Sequence, residues 1–125
     1  MDFNRFKAIN DGKINLRVMD SPSIVKTFKN ESCGDDYVIY LRIEGGIIQD
    51  ATFTTTGCGF GLAALSLATE WVRGKSLEEA ERITVQDIER GIDGFPERRG
   101  HYPKVAAWLM RKAIQEYRER QHVAV

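Results

Sequence analysis

The period of the apolar positions changes once along the chain, from two to about 3.6, and that change divides it. Tyr37, Ile39, Leu41 and Ile43 share one parity, while Val38, Tyr40, Arg42 and Glu44 share the other, as in a strand with one covered face. Gly45-Gly46 supplies a turn, and Ile47 to Thr56, rich in β-branched residues, predicts a second strand closing an antiparallel hairpin. A shorter strand is expected from Ile24 to Phe28. After Gly57-Cys58-Gly59 the spacing turns helical: Phe60, Ala63, Ala64, Leu67, Ala68 and Trp71 recur on one side, and Leu62, Leu65 and Val72 widen it until little is polar. That predicts a central helix packed on the sheet, stopped by Gly74. Ser76 with Glu79, and Thr84 with Asp87, have the spacing of capping boxes opening short helices. Pro103 fits the first turn of a last helix, with Tyr102 at its N-cap and an apolar stripe of Val105, Trp108, Leu109, Ala113 and Tyr117. Residues 1 to 23, broken at Asn10-Asp11-Gly12 and Asp20-Ser21-Pro22, support no more than a short helix or strand. The expected fold is α+β, a two-layer sandwich in which a small three-stranded antiparallel sheet is followed by packed helices.

Composition narrows the function. With 125 residues and 42% hydrophobic content, residues 1–125 are expected to form a single domain with one core. Lysine plus arginine and aspartate plus glutamate each total 18, so no global field draws nucleic acid or an acidic surface, and neither partner is expected. With no secretory signal pattern and no apolar run long enough for a bilayer, the expectation is a soluble cytoplasmic protein without a membrane partner. In a reducing compartment the two cysteines are thiols available for structure, metal or chemistry.

Four residues are candidates for chemistry. In Cys33-Gly34-Asp35, an extended backbone would project thiolate and carboxylate to one side, where they could share a metal; a plain turn is the competing reading. In Gly57-Cys58-Gly59 a thiolate would sit at the positive end of a buried helix; the alternative is a small buried cysteine at a tight junction. His101, just before the last helix, offers a nitrogen suited to a borderline metal, or is an ordinary loop histidine; His122, in the polar tail, is the weaker candidate. Cys33, Asp35, Cys58 and His101 make a ligand quartet without the compact spacing of a zinc finger. An acyl-transfer reading would instead take Cys58 as nucleophile, His101 as base and Asp35 as orienter. The glycines of TTTGCGFG match neither a phosphate loop nor a dinucleotide fingerprint, and Arg98-Arg99 reads as a solvated loop or an anion contact.

At these same residues the sequence resembles the iron-sulfur cluster assembly scaffold family, the NifU N-terminal or IscU-like proteins. The likeness runs through Cys33-Gly34-Asp35, the strand ending in Thr54-Thr55-Thr56-Gly57-Cys58-Gly59, the run SLATEWVRGKSLEEA (Ser66 to Ala80) and His101, covering most of residues 30 to 118. The resemblance implies a stoichiometric scaffold, not an enzyme, that receives sulfur from a cysteine desulfurase as persulfide. It would build a transient 2Fe-2S cluster from iron and that sulfur and pass it to apo-proteins, with zinc an alternative occupant of the same site. It implies Cys33 and Cys58 as thiolate ligands, Asp35 as either a labile ligand or a controller of cluster release, and His101 as a candidate nitrogen ligand. Members use a third cysteine directly after the histidine, and here that place holds Tyr102. A phenol has a reference pKa of about 10, forms no persulfide and is a harder donor than thiolate. A zinc-binding or regulatory relative without efficient cluster assembly is therefore the alternative, and Cys58 the remaining persulfide acceptor. Gly94 to Arg99 carries one proline where the family's chaperone-recognition motif has two, so a specialised chaperone is not carried over. The 43 residues from Cys58 to His101 leave no room for the insertion of the branch serving the Suf system.

Overall fold

A computed structural model of the chain describes residues 1–30 and 34–123, with side chains as far as Gln121. Three strands, β1 (Ile24–Asn30), β2 (Asp35–Glu44) and β3 (Ile47–Thr55), form an antiparallel meander with β2 central. Tyr37, Ile39, Leu41 and Ile43 of β2 are all buried, as their shared parity requires. Gly45 and Gly46, at φ 60° and 74°, close the β2–β3 hairpin in the doubly left-handed backbone of a two-residue turn. The register slips between Arg42, opposite Asp50, and Ile43, opposite Ile48, which marks a bulge near the turn.

The first 23 residues hold a helix, α1 (Phe3–Gly12), which weak periodicity had left open. The Asp2 carboxylate accepts the Arg5 N–H at 3.1 Å to start it, and Lys13 in the left-handed region (φ 47°) ends it. The chain then pairs with β3, Phe53 N–H to Asn15 O and Arg17 N–H to Phe53 O, both at 2.9 Å. It reaches β1 at the opposite edge of the sheet, so residues 18–22 cross the face away from the helices, with Met19 buried.

Helix α2 (Gly59–Val72) and the last helix, α5 (His101–Val123), pack together and cover the other face. Between α2 and α5 lie two short helices, α3 (Leu77–Ala80) and α4 (Val85–Glu89), and two single 3₁₀ turns, Arg90–Ile92 and Glu97–Arg99. Thr84 and Asp87 form the reciprocal capping box expected of them. Ser76 accepts the Glu79 N–H, but its hydroxyl takes the Glu79 carboxylate as partner, so that box is only half made. The core joins Ile39, Leu41 and Phe53 to Ala64, Leu65 and Ala68 of α2 and Leu109, Met110 and Ile114 of α5. Each large apolar side chain there contributes about 1.5–3 kcal/mol of burial.

Helix α5 departs from expectation in two ways. It begins at His101, which puts Tyr102 inside the first turn and Pro103 third, still among the positions whose N–H has no helical partner. Its buried face is Ala106, Ala107, Leu109, Met110, Ala113 and Ile114, while Trp108, expected in the stripe, is 38% exposed. Alanines hide there because α2 is close: small side chains let the two helices approach.

Asp50 of β3 fastens three segments. Its carboxylate accepts from Arg17 at 2.8 Å and from Arg73, just past α2, at 2.5 Å. Partial burial pushes its carboxyl up, and the hydrogen bonds and charges of Arg17 and Arg73 outweigh that and hold it below the usual carboxylate range. Because the folded value is the lower one, this stabilisation is complete above the unfolded value near pH 4 and is lost as pH falls through the folded value. We expect Asp50→Asn to cost about 1–2 kcal/mol at pH 7 in denaturant melts, with the difference from the unsubstituted chain shrinking below pH 4.

Candidate functional site

The site forms where β2 begins and β3 ends, at one end of the sheet, because the antiparallel register sets Tyr37 opposite Thr55. The threonines after that pairing shape the exit of the chain. Thr56 Oγ1 accepts the Asp36 N–H at 3.0 Å, and Thr55 Oγ1 accepts the Gly57 N–H at 3.0 Å. Cys58 follows with extended backbone (φ −76°, ψ 177°), and α2 starts at the next residue.

The glycines flanking Cys58 are places of close approach, a role their spacing alone did not disclose. A Cβ on Gly57 would lie 3.1 Å from Asp35 Oδ2, so its absence lets the carboxylate lean over the junction. A Cβ on Gly59 would meet Asn10 Oδ1 at 2.8 Å. Asn10 uses that contact: its amide donates to Gly59 O at 3.2 Å and to Phe6 O at 3.1 Å, tying α1 to the start of α2. Gly61 admits the Tyr37 ring, whose Cε1 would be 3.1 Å from an added Cβ, and Tyr37 donates to Asp35 Oδ2 at 3.3 Å.

Cys58 is exposed, and its sulfur lies 3.1 Å from the hydroxyl of Tyr102, an 8% exposed residue on the first turn of α5. A neutral thiol can donate to that oxygen; once the sulfur ionises, the phenol is the donor. The Tyr102 ring lies 4.0 Å from the His101 ring and 6.2 Å from the Phe60 ring, centre to centre, and the Arg99 guanidinium lies over Phe60 at 5.3 Å.

Partial burial pushes the Cys58 thiol up, and the Tyr102 hydroxyl with the backbone N–H groups of Gly61 and Phe60 outweighs it, so the net direction is below an ordinary thiol despite the repelling charge of Asp35. Those N–H groups belong to the first turn of α2, at its positive end, where they favour a negative sulfur. Tyr102 moves the other way, pushed up to about 12, first by its hydrogen bond to Cys58, then by burial and the negative charges nearby. The pair is thus a thiol shifted toward ionisation beside a phenol shifted away from it.

Of the expected site residues, Asp35 and Cys58 are brought to one place, and His101 lies exposed against Tyr102. Cys33 lies outside the described residues. Gly34 is left-handed (φ 73°) and donates its N–H to Asn30 O at 2.7 Å, a tight turn leading into β2. Among the described residues, no three of the His, Cys, Asp and Glu side chains gather as a metal site. The thiol takes Tyr102 as its hydrogen-bond partner, which does not assemble the cysteine-histidine pair that acyl transfer needs. Asn10 and Tyr37 were not candidates from sequence, where only the glycines facing them hinted that something pressed close; Tyr102 was noticed there only as the residue in the place of a third cysteine.

Residues 6–124 match the NifU-like N terminal domain. The chain belongs to that family. Among relatives, it is 35% identical over 103 residues, 82% of this chain and 67% of the other, to a protein of Archaeoglobus fulgidus named as an iron-sulfur cluster assembly scaffold protein IscU. It is 38% identical over 91 residues, 72% of this chain and 70% of the other, to the protein of that name in Escherichia coli. Its fold is similar to the crystal structure of a nitrogen-fixing NifU-like protein (N-terminal) from Brucella abortus, at a TM-score of 0.66 and 19% identity over 92% of each chain. Among the described residues no helix is long and apolar enough to cross a membrane.

The charge of Asp35 opposes ionisation of Cys58. Asp35→Asn is therefore expected to lower the thiol's ionisation midpoint and raise the thiolate fraction at pH 7, read from thiolate absorbance against pH.

Proposed function

We propose that this chain is a scaffold or carrier for iron-sulfur cluster assembly, binding iron and sulfur and passing a transient 2Fe-2S cluster to apo-proteins. The observation that carries the reading is the meeting of the Cys58 sulfur, eased toward its thiolate, with the Asp35 carboxylate at the strand-to-helix junction, in a family whose similar members are named as cluster assembly scaffolds. Iron and sulfide are cargo here, and the chain acts stoichiometrically, as one domain over residues 1–125, without turning over a substrate of its own. Thiolate from Cys33 and Cys58, carboxylate from Asp35 and imidazole from His101 form the proposed donor set. Two soft and two harder ligands suit zinc as well as iron, and make a less secure cluster site than three thiolates would. The sulfur donor would be a cysteine desulfurase, and apo iron-sulfur proteins the acceptors, in the cytoplasm. Neither nucleic acid nor membrane is proposed as a partner.

Tyr102 favours a second reading, a zinc-binding or regulatory relative that has lost efficient cluster assembly. Its oxygen takes the place beside His101 and, pushed up to about 12, stays protonated, which makes it a hydrogen-bond donor and not an anionic ligand. Anaerobic incubation with iron, sulfide and an active desulfurase, followed by metal and sulfide counting and transfer to an apo-ferredoxin, separates the two. A transferable cluster that Cys58→Ser abolishes supports the scaffold; tight zinc binding without transferable cluster supports the second reading. If the missing thiol limits occupancy, Tyr102→Cys should raise bound iron and sulfide per chain, and an unchanged content would remove that explanation.

A further inference from the structure

The first half of α5 carries charge of one sign. From Arg98 to Gln115 the chain has Arg98, Arg99, Lys104, Arg111 and Lys112 and no carboxylate, although its overall charge balances. The ion pairs of α5 come later, at Glu116, Arg118 and Arg120, so Lys104 and Lys112 are exposed and unpaired among the described residues. They stand at i−4 and i+4 of Trp108 and form one row with it along the helix. The exposed Trp108 ring meets the ring of Phe28 on β1 at 71°, and these two, with Lys104 and Val105, line an open hollow of about 220 Å³. An aromatic wall with charge of one sign at its rim is the arrangement that holds an anchor side chain at an interface. We propose that this hollow is a docking site for a partner protein presenting an acidic segment with one aromatic or aliphatic side chain. That side chain enters beside Phe28 and Trp108, and the carboxylates meet Lys104 and Lys112. The sign of the rim selects the occupant. A second copy joined through the same face by a two-fold axis would set the lysines of one molecule against those of the other. A nucleic acid would answer the charge but needs a flat platform for its bases, and two rings at 71° make a corner that a side chain fills. The hollow adjoins the candidate site. Val105 is one turn along α5 from Tyr102, which contacts the Cys58 sulfur, and Phe28 stacks on Tyr37, which donates to Asp35. A partner seated here is therefore held beside the exposed thiol. That it delivers or receives cargo there rests on the proposed scaffold role; the docking itself does not.

The experiment is fluorescence anisotropy of a labelled synthetic peptide, aspartates and glutamates around a central phenylalanine, titrated with the full, metal-free chain. A panel with leucine, tryptophan or serine at the centre measures the anchor. Saturable binding that weakens at least about tenfold with serine at the centre, and by a similar factor with Trp108→Ser, supports the assignment. Replacing both rim charges, Lys104→Gln with Lys112→Gln, should weaken binding about fivefold at low salt and less at high salt, where rim charges are screened. Should Trp108→Ser lose its fold, judged by its melting curve, the lysine pair on the solvated face of α5 and the peptide panel still decide. Absence of saturable binding, an affinity indifferent to the central residue, or binding that neither substitution touches overturns the proposal. So does tighter binding of single-stranded RNA or of phosphatidylserine vesicles, or self-association of the chain that Trp108→Ser abolishes. Peptide binding needs neither iron nor sulfide, so failure of cluster reconstitution would count against the scaffold reading alone and failure of peptide binding against the docking site alone.

Discussion

Helix α2 has no long face that water can wet. Of its fourteen residues only Glu70 is exposed, so the sheet, α5 and α1 must each cover a side of it, and the fold is arranged around that demand. Its few polar groups are partnered within the packing: Ser66 donates to Ile14 O at 3.1 Å, and Thr69 donates to Leu65 O at 2.8 Å while accepting from Asn15. A helix held from three directions has an immobile first turn. Cys58, which leads into that turn, inherits its placement from the burial of residues up to fourteen positions later.

The parts of the fold that were legible in the sequence are those where one physical demand acts alone. The parity of β2, the Gly45-Gly46 turn and the all-apolar α2 each follow from burial or from backbone sterics, and each is found where the pattern put it. Where two demands compete, the pattern misleads. Trp108 is apolar yet exposed because it lies beyond the α2–α5 contact and packs edge-on against Phe28 of β1, 5.5 Å between ring centres, while the small Ala106 and Ala107 take the buried face. Helix α1 was obscure because its stability comes from contacts distant in sequence, such as Asn10 with Gly59, which no local period can show.

The site was legible to a similar degree. The likeness to scaffold proteins drew attention to Cys33, Asp35, Cys58 and His101, and the register of β2 and β3 explains why residues 35 and 58, twenty-three apart, come together. What the sequence presented as a missing ligand at residue 102 is in the folded chain a buried phenol in contact with Cys58. The phenol does not replace a thiolate, but it does not leave a gap either, because its oxygen accepts a hydrogen bond from the Cys58 thiol.

The outer border of β3 carries a consequence for the chain in concentrated solution. An uncovered strand border is a template onto which another molecule can add its own strand, the first step toward fibrils. Here Phe53 is already paired with the segment at Leu16, and Ile47 with Ser76, so both ends of β3 are occupied by the chain's own backbone. On the opposite border, β1 presents the exposed Lys29, a charge that disfavours a like strand, while Lys26 is paired with Glu116 of α5 at 2.8 Å. Strand addition by a second molecule is thus opposed at both borders of the sheet.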